Sequence, residues 1–175
     1  MKSTGVVRRI DELGRVVIPK EIRRNLLIRD GENLEIFIED NNIILKKISK
    51  IVDFSDYASV ICDQFWETLN LEVAISDREK IVVANGNILA KIINHQMENV
   101  LTNLIDNREY YISESLTNFK FNQELVSGYF SIHPIITSTD CLGLAIFYSE
   151  SPLDKHFKKI SKLLASLISK NIDVG

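Results

Sequence analysis

The first fifty residues, MKSTGVVRRIDELGRVVIPKEIRRNLLIRDGENLEIFIEDNNIILKKISK, limit the fold more than any other part of the chain. They alternate short β-branched runs with turns and carry few large side chains. A unit of about fifty residues buries only around 60% of the surface its unfolded chain exposes, so one copy makes a meagre core. Two copies that interleave their hairpins bury the apolar faces that one leaves open, and the stretch points to a homodimer.

Within it, TGVVRRI and RVVI flank the turn DELG, where Gly14 is free to take a positive φ, and the pattern predicts a hairpin. Pro19 suits the first turn of a helix, PKEIRRNLL, which sets Ile22 and Leu26 on one face and turns Lys20, Arg23 and Arg24 to others. Gly31 is its stop signal. LEIFIE alternates Leu34, Ile36 and Ile38 against Glu35, Phe37 and Glu39; DNN turns the chain, and IILKKI closes a second hairpin.

The rest of the chain has a different character. SKIVDFSDYAS contains neither proline nor glycine, so a short stiff connection is expected between a first domain over 1–50 and a second over 54–175. Phe54, Tyr57, Ala58, Ile61, Phe65 and Leu69 recur at helical spacing, with Val60, Cys62 and Trp66 on a neighbouring face. LEVAIS and KIVVAN read as strands about the turn DRE, and GN opens a helical stretch, ILAKIINHQMENVLTNLID. Residues 107–128 read as loop with one or two short strands, and YFSIHPIITSTDCLGLAIFYSE as two strands around Ser138, Thr139 and Asp140. A last helix, with Ser151 as cap and Pro152 in its first turn, carries the stripe Phe157, Ile160, Leu164, Leu167 and Ile168 opposite Lys155, Lys158, Lys159 and Lys162. The order is that of an α+β domain with a largely antiparallel sheet. Phe54, Phe65 and Trp66 with Phe157, Leu164 and Ile168 are expected to form an intersubunit bundle that joins two dimers into a homotetramer.

Charge divides the chain at the same place. Residues 1–50 hold 11 Lys and Arg against 8 Asp and Glu, while residues 51–175 hold 10 against 16. A basic module that meets a polyanion, joined to an acidic module with another task, is the reading this asymmetry favours. Arg8, Arg9, Arg15, Arg23 and Arg24 place five guanidinium groups within seventeen residues. Each is permanently charged and offers a planar fork of donors suited to phosphate oxygens and to the guanine edge. The competing reading pairs them with Asp11, Glu12 and Glu21 as ordinary solvated ion pairs. A two-fold dimer presents every arginine twice, and so builds a basic surface broad enough to touch both strands of a duplex.

Other chemistries find little support. The chain is 45% apolar and 26% charged, with no apolar run of spanning length and no signal-like N-terminus, so the expectation is a cytoplasmic, nucleoid-associated protein away from membranes. Cys62 and Cys141 read as buried free thiols. His95, His133 and His156 are far apart and lack metal-ligand or nucleophile signatures, so no active site, metal or cofactor is expected. His133, before Pro134, reads as a strand-end residue, and NGN at 85–87 as a turn and not a phosphate loop.

TGVVRRIDELGRVVIPKEIRR, followed by LEIF and IILKK, resembles the DNA-binding domain of the AbrB family of bacterial transition-state regulators, over essentially all of residues 1–50. The longer chain resembles those relatives that carry a second domain and regulate sporulation in endospore-forming bacteria. The resemblance implies a swapped-hairpin β-barrel made by two chains, with one short helix. It also implies duplex DNA as partner, and contacts from Arg8, Arg9, Arg15, Arg23 and Arg24, with Lys2 on the N-terminal arm. Lys20 stands where some relatives carry an uncharged residue, and either touches phosphate or sits in solvent. The resemblance further implies activation or repression according to position at a promoter. The element order of the second domain resembles a GAF domain, a fold regulators use to bind small molecules or to pair subunits. That implies either a pocket over the sheet, with Asn85, Tyr110, Tyr111, His133 and Thr137 as candidate contacts to an unidentified ligand, or a fold kept for assembly. An antitoxin-like interaction protein of a toxin–antitoxin pair, or a small-molecule enzyme or carrier, are the alternatives.

Overall fold

The computed structural model describes residues 5–26, 28, 30, 34–138 and 140–174. It separates the chain into two compact units, Met1–Ile48 and Ser49–Gly175.

In the first unit the chain turns at Asp11–Gly14, where the Gly14 amide donates to the Asp11 carbonyl at 2.9 Å and Gly14 takes φ +75°. The turn forms as expected, but the β-branched runs beside it are not strands. Among the described residues, one backbone bond from Asp11 to Arg15 (3.1 Å) joins them, and a ladder needs more partners than a single chain supplies here. Pro19 precedes α1 (Lys20–Asn25), a shorter helix than PKEIRRNLL suggests; its expected stop, Gly31, lies outside the described residues. The second hairpin is present: β1 (Leu34–Glu39) and β2 (Asn42–Lys47) pair antiparallel from Leu34–Lys47 to Glu39–Asn42. Asp40 at φ +46° and Asn41 at φ +65° supply the left-handed pair that a two-residue turn requires.

None of the described residues of this unit is buried. Val7, Ile10, Val17, Ile36, Ile38 and Ile43 are 64–85% exposed. Ile36 stands opposite Leu45 and Ile38 opposite Ile43 on one uncovered face, and Phe37 stands opposite Ile44 on the other.

The second unit has a core of its own. Ser49 caps α2 (Lys50–Asp53), its Oγ accepting from the Val52 amide at 3.4 Å, and α3 (Ser55–Leu69) follows. Next come β3 (Glu72–Ser76), β4 (Ile81–Ala84), a 3-10 turn (Leu89–Ile92), α4 (Asn99–Asn107), β5 (Tyr111–Ile112), β6 (Thr117–Phe121), β7 (Glu124–Ile136), β8 (Cys141–Ser149) and α5 (Phe157–Val174). The sheet runs β4-β3-β8-β7-β5 with β6 also on β7, and every pairing is antiparallel. The fold is therefore mixed α and β with antiparallel sheets. Val73 and Ile75 face α2, α3 and α5 with Ala58, Cys62, Phe147, Leu164 and Ile168. Ala74 faces the 3-10 turn and α4 with Leu89, Leu101, Ile105, Phe130 and Ile146. Helices on both faces explain why β3 and β8 are nearly continuous apolar runs.

Two expectations need correction. The helical stretch over 88–106 is a 3-10 turn and a separate α4, because Asn94 turns left-handed (φ +66°) and Gln96 and Met97 bridge to Lys80 and Phe121. Residues 107–128 hold two short strands as expected, β5 and β6, and also the start of β7. Ser151 and Pro152 precede α5 without capping it; in the turn before the helix, Asp154 Oδ1 accepts from His156 N–H at 2.6 Å.

Candidate nucleic-acid interface and ligand cleft

The arginines of the first unit divide by what holds them. Asp11 accepts from the amides of Leu13 (3.0 Å) and Arg15 (2.8 Å) and from Arg15 Nε (2.7 Å), so one carboxylate fixes the turn and the guanidinium beside it. The bonds from Arg15 hold the Asp11 carboxyl below the usual carboxylate range. Arg23 pairs with Asp30, and its Nε is buried without a hydrogen-bond partner among the described residues. Arg8, Arg9, Arg24 and Lys20 are exposed and have no carboxylate partner among the described residues. The ion-pair reading thus accounts for Arg15 and Arg23, through Asp11 and Asp30, and leaves four cations open. Lys2 lies outside the described residues.

The five second-unit candidates do not converge on one pocket. Asn85, after β4, is buried; its Oδ1 accepts from Val73 N–H at 2.9 Å and its Nδ2 donates to the Cys62 carbonyl, which ties α3 to β3 and leaves no polar atom for a ligand. Tyr111 packs edge-on against Phe119 and bonds Thr117 at 3.0 Å, on the α4 side of the sheet. Thr137 closes the turn into β8, its hydroxyl accepting from Asp140 N–H at 3.2 Å.

Tyr110 and His133 do come together. β5 pairs Tyr111 with Ile132, which puts Tyr110 one register step on, opposite His133. Their rings stack with centroids 5.2 Å apart and planes 8° from parallel. β5 ends there, and the next β7 residue is Pro134, which has no N–H to leave unpaired at an open edge. α5 covers part of that edge: Ser161 Oγ lies 2.8 Å from His133 Nδ1, and Lys158 Nζ sits 3.9 Å from the Tyr110 ring centroid and donates to its hydroxyl at 2.6 Å. A cleft of about 450 Å³ remains, lined by Arg108, Tyr110, His133, Lys158 and Lys162. Burial holds the His133 imidazole at about 4, well below its ordinary value, with the Lys158 and Lys162 charges adding to it.

Sequence reasoning read Lys158 and Lys162 as the solvent face of a helix and passed over Arg108. The i,i+4 repeat of like charge was the available signal. The turn at 85–87 is filled from within, since Glu72 accepts from the amides of Asn87, Ile88 and Leu89 at 2.9 Å each. Burial pushes the Cys62 thiol up to about 12 and raises that of Cys141, so both cysteines are inert as nucleophiles. Among the described residues no group of three or more His, Cys, Asp or Glu is placed to hold a metal, and no helix is long and apolar enough to cross a membrane.

An exposed basic module joined to an α/β module with its own core is the organisation of a transcription regulator. Residues 53–173 match the family described as stage V sporulation protein T C-terminal, transcription factor, and residues 7–53 match antidote-toxin recognition MazE, bacterial antitoxin. The chain is 38% identical to stage V sporulation protein T of Bacillus subtilis (strain 168) over 157 residues, 86% of each chain. It is 64% identical to transition state regulatory protein AbrB of the same organism over 47 residues, 27% of this chain and 49% of that one. A crystal structure of a methyl-accepting chemotaxis protein, residues 122 to 287, is alike in fold, with TM-score 0.51 and 16% identity over 70% of this chain and 92% of that one. The chain belongs to the stage V sporulation protein T family of transcription factors, and is a DNA-binding regulator of sporulation genes, not an enzyme.

Proposed function

We propose that this regulator binds duplex DNA through the arginines of an interleaved, swapped-hairpin dimer of its first unit, and activates or represses according to where it sits at a promoter. The second unit, read as GAF-like, assembles these dimers into tetramers and takes up a small molecule. The observation that carries the DNA reading is the first unit itself, with four open cations on a module that buries none of its described residues in one copy. A second copy laid against the face of Ile36, Ile38, Ile43 and Leu45 supplies the missing core and doubles the basic field. Base contacts by arginine and DNA shape share the readout, so sequence preference is modest.

Fluorescence anisotropy of labelled duplex DNA, titrated with full-length protein at several salt concentrations, tests this. Log affinity is expected to fall with log salt by about 0.9 per phosphate neutralised, and the Arg9→Ala, Arg24→Ala variant to lower that slope by up to about 3.6 for the four arginines of a dimer. An unchanged slope with a folded dimer rejects the residue assignment. Lys120→Ala, in β6 of the second unit, serves as the control with no change expected.

The antitoxin reading has one observation in its favour, the match of residues 7–53 to an antitoxin family. In that reading the residues after 53 hold a toxin, whereas here they match a transcription-factor family.

A further inference from the structure

We propose that the cleft between α5 and the residues leading into β5 binds a small organic anion, carboxylate or phosphate, against Arg108, Lys158 and Lys162. The inference rests on reading the second unit as ligand-binding, and adds the place and the chemistry.

Three observations point the same way. First, the cleft is of a suitable size. Its volume of about 450 Å³ falls within the range of small-molecule sites, and Pro134, Ile136 and Ala165 give it an apolar wall that a bare inorganic ion would not need. Second, its charge is uncompensated. Residues 51–175 carry 10 basic against 16 acidic side chains, yet none of the three cations here has a carboxylate partner among the described residues. Lys158 and Lys162 are one helical turn apart, an arrangement of like charge that weakens a helix unless something offsets it. An anion seated between them removes that repulsion.

Third, the floor is a buried and oriented polar group. His133 is 6% exposed and fixed by Ser161 at Nδ1 and by the parallel ring of Tyr110, which leaves Nε2 without a partner among the described residues. Arg108, Tyr110, Lys158, Lys162 and Ser161 are the charged and polar groups that face it. Burial is the larger reason the imidazole stays neutral, and the Lys158 and Lys162 charges add to it. A bound anion reverses that field, so uptake of the anion draws a proton onto His133 and binding tightens as pH falls.

The test uses the full-length protein and three probes of one shape, benzoate, phenyl phosphate and uncharged benzamide, at constant ionic strength. The imidazole resonances are followed by NMR, with His95 and His156 as internal controls, and thermal midpoints are measured alongside. Benzoate and phenyl phosphate are expected to move the His133 signal saturably and to raise its titration midpoint, benzamide to do neither, and Lys158→Gln, Lys162→Gln to weaken the anions about tenfold or more. Unmoved His95 and His156 signals in that variant certify its fold. Equal binding of benzamide overturns the anion inference and leaves the ligand-binding reading standing. So does a rise in thermal midpoint with the His133 signal unmoved, which places the anions elsewhere. If no probe changes either the midpoint or any resonance, the reading of the second unit as ligand-binding fails with the inference.

Discussion

His133 stands on β7 with its Nδ1 2.8 Å from the Ser161 hydroxyl, a partner 28 positions away in the chain. The sequence marks it only as a histidine before a proline, and places it at a strand end; it lies within β7, buried under α5. Its pairing with Tyr110 was legible as a joint candidacy, while Asn85, Tyr111 and Thr137, polar residues in equally apolar settings, turned out to be fully engaged by backbone and hydroxyl partners. Nothing in a one-dimensional pattern tells a satisfied polar side chain from one that faces a cleft. A pH effect follows from burial. The imidazole titrates at about 4 in the folded chain against an ordinary 6.5, so as pH falls below 6.5 the unfolded state takes up the proton first. The stability His133 contributes is full above pH 6.5 and is lost as pH falls toward 4. Urea midpoints at pH 7 and pH 4.5 are therefore expected to differ more for the wild type than for His133→Gln. An equal loss in both would show that carboxylates elsewhere carry the whole acid sensitivity.

At the scale of elements, legibility followed the source of each element's stability. β3 and β8 were readable because burial on both faces writes a continuous apolar run, and the second hairpin because its alternation and its Asp40–Asn41 turn are local. The stretch after Gly86 misled, since its apolar spacing suits a helix while its backbone is drawn to the sheet edge through Ile81, His95 and Met97. The first hairpin misled in the opposite sense, because its turn forms while a single backbone bond, Asp11 to Arg15, joins the runs beside it among the described residues. Close approach of strands is equally invisible in sequence. A Cβ on Gly143 would overlap the Ser76 carbonyl, whose side-chain hydroxyl accepts from the next amide, Leu144, at 3.0 Å. Gly143→Ala must push β8 off β3, and is expected to lower stability by about 1–3 kcal/mol in urea melts with an unchanged denaturant slope. A loss of a few tenths would mean that the strand edge gives way freely.

The whole molecule poses the question of what its uncovered apolar surface meets. The residues expected to join subunits are partly consumed by the chain's own core. Leu164 and Ile168 are fully buried, and Phe65 and Phe157 pack against the same cluster, because α3 and α5 turn their best apolar stripes to the sheet. Tyr57, Val60 and Leu69 on α3, and Leu163 and Leu167 on α5, are 39–61% exposed instead. In the proposed tetramer these side chains supply the contact between dimers, and their charge-free character suits an isologous interface. Val60→Glu combined with Leu167→Glu leaves the core cluster intact and sets like charges against each other across such a contact. Sedimentation is then expected to find two copies of the 20.0 kDa chain where the wild type has four. Because each dimer keeps its own DNA surface, affinity for a duplex with one site should stay within about twofold, while a duplex with two sites loses about a hundredfold through lost avidity. A variant that still sediments as four copies would move the contact off these helices. One that sediments as two copies and loses nothing on the two-site duplex would show that the dimers bind DNA independently, and that assembly through the second unit serves some end other than grip.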